Sequence, residues 1–135
     1  MAEYAARTKI PAERTRLDIE AMMKKRGADQ FFSGDDGKTA ILAFRLHGRH
    51  IRFSLPLTGT RTAQQVRSRW RALWLVIKAK LEAIDIGILT LEDAFLSETV
   101  LPDRQTVAEY MRPQIAAAYK SGEMPKALPY YGGES

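Results

Sequence analysis

The stretch TAILAFRLHGRHIRFSL, residues 39–55, decides the fold. Apolar and polar residues alternate on both sides of His47-Gly48, and a period of two marks half-buried strands rather than a helix. A two-residue loop there sets Leu46 opposite Arg49, Phe44 opposite Ile51, Leu42 opposite Phe53 and Ala40 opposite Leu55, all on one side of an antiparallel ladder. The other side receives Arg45 with His50, Ala43 with Arg52 and Ile41 with Ser54. Slipping the register by one residue mixes His50 and Arg52 into the apolar set, so burial of one face specifies this pairing.

Outward from the hairpin toward the N-terminus, Ser33-Gly34-Asp35-Asp36-Gly37-Lys38 reads as a turn cluster and Ala28–Phe32 as a third, short strand. A helix precedes it, opened by Pro11 and stopped by Gly27, with Ala12, Thr15, Ile19, Met22 and Met23 on one side. Lys24, Lys25 and Arg26 fall in its last turn, where cations complement the helix dipole.

Toward the C-terminus Pro56 ends the ladder, and Val66, Trp70, Leu73, Ile77, Leu81 and Ile84 then recur at steps of three and four, the stripe of a long helix packed on the apolar sheet face. Ala72, Leu75, Val76 and Ala79 form a second apolar flank. That flank calls for a second partner, either a homodimer mate or the helix starting at Thr106. Thr90 caps a short helix through about Glu98. Thr106 and Glu109 form a capping box for a further helix carrying Tyr110, Met111, Ile115 and Tyr119, with a kink or restart expected at Pro113. The expected architecture is α+β: N-terminal helix, three-stranded antiparallel sheet, long amphipathic helix on one face, two shorter C-terminal helices and a tail. Residues 1–122 form the domain and 123–135 the Pro/Gly-rich tail.

With 135 residues, 45% hydrophobic and 27% charged, the chain has the composition of one folded domain. There are no cysteines and two histidines, which removes disulfides, thiolate zinc sites and cysteine nucleophiles, and any metal site needing three histidines. Neither an apolar leader nor a membrane-spanning run occurs, so a cytoplasmic protein without a membrane partner is expected. Catalysis finds no constellation. His47 and His50 sit at a hairpin tip, Asp35 and Asp36 suit a turn better than a calcium loop, and Glu92 and Asp93 suit a helix N-terminus. No phosphate-loop or dinucleotide motif is present, and no cofactor is expected.

The net charge of +5 leans toward anionic partners. On the long helix Arg67, Arg71 and Lys78 line up with Trp74 among them, a stripe suited to gripping phosphates and stacking a base of a single strand. On the outer sheet face Arg45, His50 and Arg52 crowd together, and like charges opposite one another destabilise a sheet unless an anion answers them. These seven residues are the expected nucleic-acid contacts. Ala72, Leu75, Val76 and Ala79 are the expected interface.

The stretches SRWRALWLVIKAKLEAIDIGILTLEDAFL (Ser68 to Leu96) and VLPDRQTVAEYMRPQIAAAYKSGEMPKALP (Val100 to Pro129) resemble small uncharacterised proteins encoded by phages and prophages. The resemblance implies a phage setting in a bacterial host and carries no activity residue by residue. Its relatives favour a glycine turn after Leu-Pro-Asp, where this chain has Arg104. Two roles suit such a setting. One is a non-enzymatic nucleic-acid-binding accessory protein with mainly phosphate contacts; the other is an anti-CRISPR-like counter-defence inhibitor that binds a host defence protein or nucleoprotein complex.

Overall fold

In the computed structural model, which describes residues 2–60 and 62–125, β2 (Thr39–Leu46) and β3 (Arg49–Pro56) pair in the register that their alternation dictates. Phe44 lies opposite Ile51, Leu42 opposite Phe53, Arg45 opposite His50 and Ala43 opposite Arg52. His47 and Gly48 both take positive φ, 50° and 78°, as in the two-residue turn whose twist matches that of the strands it joins.

β1 (Asp29–Asp35) pairs with the other side of β2, for a sheet order β1-β2-β3. The strand reaches further than expected, because Ser33, Gly34 and Asp35 belong to it and the turn contracts to Asp36-Gly37-Lys38. Both aspartates serve that turn. Asp35 Oδ1 accepts from the Gly37 N–H at 3.0 Å, and Asp36 Oδ1 accepts from Lys38 and Thr39 at 2.8 and 2.9 Å. These backbone donors hold the Asp36 carboxyl below its ordinary range.

Two helices cover the inner sheet face. α1 (Ala2–Lys24) begins well before Pro11, which therefore lies inside the helix rather than opening it. Ala2, Glu3, Ala5, Ala6, Arg7 and Lys9 are strong helix formers that carry helical backbone past the proline. α2 (Ala63–Ile86) is opened by a Thr62–Gln65 capping box and closed by Gly87 at φ 93°. The helices run in the same direction. Arg14 and Asp18 lie beside Arg67 and Arg71, while Arg26, just past the end of α1, holds Asp85 near the end of α2 through two hydrogen bonds of 2.6 and 2.7 Å. Ile19 and Met23 of α1 join Trp70, Leu73, Ile77 and Leu81 of α2 in one core with Leu42, Phe44, Leu46, Ile51 and Phe53.

α3 (Leu91–Ala94) is shorter than expected. Thr90 caps it, but the chain leaves the helix at Phe95, whose ring is buried edge-on against Phe44 and Phe53 at 6.4 and 6.2 Å. Beyond it the backbone lies along the free edge of β3. Arg52 donates to the Glu98 carbonyl at 2.9 Å and Val100 donates to that of His50 at 2.8 Å, so this edge does not offer a bare ladder to other chains.

α4 (Val107–Ser121) carries the Thr106–Glu109 capping box and continues without a restart through Pro113. The proline removes one donor in the second turn of a helix whose start is already secured by that box. α4 joins the body beside β3, where Glu109 meets Arg52. It does not cover the second flank of α2, so Ala72, Leu75, Val76 and Ala79 are exposed. α1 packs along another side of α2, and neither it nor the Thr106 helix covers this flank. Of the tail, only 123–125 fall within the described residues, and 126–135 lie outside them. No helix among the described residues is long and apolar enough to cross a membrane.

Candidate functional site

The outer sheet face brings Arg45, His50 and Arg52 together as the register requires, but the anions that answer them belong to the chain itself. Asp29 accepts from Arg45 Nε at 3.0 Å and Nη2 at 2.9 Å. That arginine holds the Asp29 carboxyl below its ordinary range. Arg52 donates to Glu109 Oε1 at 2.6 Å and to the Arg104 carbonyl at 3.0 Å. Glu109 also accepts from the Thr106 backbone N–H at 2.8 Å, the leading reason its carboxyl is held low, with Arg52 adding to the effect. The repulsion expected on this face is thus satisfied internally. His50 is exposed at the end of the ladder.

Asp29 reaches Arg45 because of a bulge. The β1–β2 register pairs Phe32 with Ala43 and Ser33 with Leu42, but Asp29 with Arg45. Without the irregularity Asp29 would oppose Leu46 on the apolar side. Gln30 absorbs the extra residue with φ 55° and turns the aspartate outward.

On α2 the picture is the reverse. Between Ala63 and Leu81 the helix carries Arg67, Arg69, Arg71, Lys78 and Lys80 and no carboxylate. Arg69 donates to the Pro56 carbonyl at 2.6 Å, while Lys80 donates to that of Ala94 at 2.6 Å and lies 3.7 Å from Glu98. Arg67, Arg71 and Lys78 have no ion-pair partner among the described residues. Trp74 is half-buried against the core, with the Arg71 guanidinium 4.7 Å and the Lys78 ammonium 5.2 Å from its ring centroid. Of the predicted stripe, Arg71 and Lys78 thus flank the indole, and Arg67 stands one turn before Arg71.

Arg67 and Arg71 also line a groove of about 530 Å³ between α1 and α2, with Ser68 and Ala72 along α2 and Arg14 and Asp18 opposite. Arg14 and Asp18 are 4.0 Å apart and largely exposed, a loose pair. Three guanidinium groups and one carboxylate thus share the groove, which favours an anion. Arg14 was not singled out from sequence, because its place beside α2 follows from the parallel packing of two helices separated by the whole sheet.

Compared with family models, with curated proteins and with solved structures, the chain matches none.

Proposed function

We propose that this chain is a non-enzymatic nucleic-acid-binding protein of a phage setting, which holds phosphates along α2 through Arg67, Arg71 and Lys78, with Arg14 across the groove. The observation that carries this reading is that Arg67, and Arg71 and Lys78 beside Trp74, have no ion-pair partner among the described residues, on a helix segment free of carboxylates. Arg45 and Arg52 already hold carboxylates of their own chain and are not part of the proposed contact set, nor is His50 beside them. The cation–π contacts at Trp74 are worth about 0.5–1 kcal/mol at an exposed site, against about 1–3 kcal/mol for a stacked base. A base can therefore take a ring face and release the cation to a phosphate, which favours single strands over duplex.

The test is a titration of labelled single-stranded DNA, duplex DNA and RNA at several salt concentrations. Binding that weakens steeply with salt, strongest for a single strand and reduced in Arg67→Ala/Arg71→Ala, supports the reading. No binding by the parent at low salt, or an unchanged affinity and salt slope in that variant, overturns it.

A further inference from the structure

The core residues Trp70, Leu73, Ile77 and Leu81 mark one pole of α2, and at 100° per residue Ser68, Ala72, Leu75, Ala79, Glu82 and Ile86 gather around the opposite one. That outward pole normally carries charge. Here it is mostly apolar, with Leu75 51% and Ile86 75% exposed, and the cations stand on its shoulders. We propose that this face pairs with the same face of a second copy of the chain, the two α2 helices antiparallel about a two-fold axis at the level of Ile77.

The pattern of residues is self-complementary in that arrangement. Leu75 falls opposite Ala79 of the second copy, Ser68 opposite Ile86 and Ala72 opposite Glu82, so the larger side chain meets a smaller one at every step. The strip from Ser68 to Ile86 is about 27 Å long at 1.5 Å per residue. Charge fixes the direction. Asp85 is held by Arg26, whereas Glu82 has no ion-pair partner among the described residues, and neither has Arg71. The antiparallel pairing brings each Glu82 beside Arg71 of the second copy. A parallel pairing sets Arg71 against Arg71 and Leu75 against Leu75, repulsive in the first case and overfilled in the second. The dimer is tested apart from nucleic-acid binding, but the two share Arg71 and the groove beside Ser68 and Ala72, so Glu82 of the second copy and a phosphate compete for that guanidinium while Arg67 and Lys78 stay open.

Sedimentation velocity over a range of concentrations tests it. The parent is expected to be a dimer, and Leu75→Glu a monomer with an unchanged far-UV circular dichroism spectrum. Glu82→Arg is expected to raise the dissociation constant about ten-fold, as loss of two rim ion pairs allows, and Arg71→Glu/Glu82→Arg to recover it. A parent that is monomeric at every concentration overturns the proposal. So does a dimer indifferent to Leu75→Glu, or a double variant that fails to recover association.

Discussion

Gln30 holds a left-handed backbone angle, φ 55°, at the β1 bulge. That conformation costs an L-residue about 1–2 kcal/mol, more than the about 0.4–1 kcal/mol that glycine loses through the freedom of its unfolded chain. Gln30→Gly should therefore raise stability by about 0.5–1 kcal/mol, read as a higher urea midpoint at unchanged slope. Gln30→Val should lower it. Arg104, at φ 74°, occupies a glycine-like conformation after Leu-Pro-Asp, and its carbonyl serves Arg52. Glu109 offers a test of charge. Its folded pKa is depressed, first by the Thr106 N–H and then by Arg52, so its contribution is present above the ordinary glutamate range and is lost as pH falls through the depressed value. Glu109→Gln keeps an acceptor for the cap but loses the charge. The variant should melt below the parent at neutral pH, and the gap should close in acid; a gap independent of pH would refute the assignment.

Among the elements, the four-residue helix α3 matters most for the ring that ends it. Phe95 is 1% exposed and touches Phe44 and Phe53 from a segment with little regular structure. Phe95→Ala should cost about 3–5 kcal/mol, the same range as alanine at Phe44, Phe53 or Trp70, because all four empty one core. Near-neutral unfolding midpoints would sink this packing scheme. α4 contributes no fully buried residue, and Ile115, Tyr119 and Met124 are 44%, 88% and 90% exposed. The Val107 and Ala108 N–H groups, which donate to the Thr99 and Ser97 carbonyls at 2.9 and 3.0 Å, and the Arg52–Glu109 pair, rather than apolar burial, join its first turn to the body. Hydrogen exchange should therefore be faster along 115–121 than in α2, which buries Trp70, Leu73, Ile77 and Leu81 along one face.

For the whole molecule, the two groups of cations should separate cleanly. Arg45→Ala/Arg52→Ala removes partners of Asp29 and Glu109, so it should lower the melting temperature and leave nucleic-acid affinity nearly unchanged. Arg67→Ala/Arg71→Ala removes cations unpaired within the described residues. It should lower the melting temperature less than the sheet variant does, since Arg71 gives up only its contact with Trp74 and the rim pair proposed with Glu82, and reduce the salt slope on a single strand by up to about 1.4 in log–log units, two phosphate contacts at about 0.7 each. The opposite pattern, with the sheet variant losing affinity and the helix variant losing stability, would return the binding surface to the sheet. Local periodicity by itself determined the α+β class, the β2–β3 register and the core stripe of α2, because strand alternation, a two-residue turn and a three-to-four spacing are set by residues close in the chain. The stripe around Trp74 was equally legible, since one helix carries all of it. Which cations are free was decided only by the tertiary structure. Asp29 reaches Arg45 through a bulge that no hydrophobic pattern announces, and Glu109 reaches Arg52 across 57 positions. The neighbour of α2 was decided the same way, because α1 and the Thr106 helix are both amphipathic and only three-dimensional packing chooses between two faces of similar chemistry.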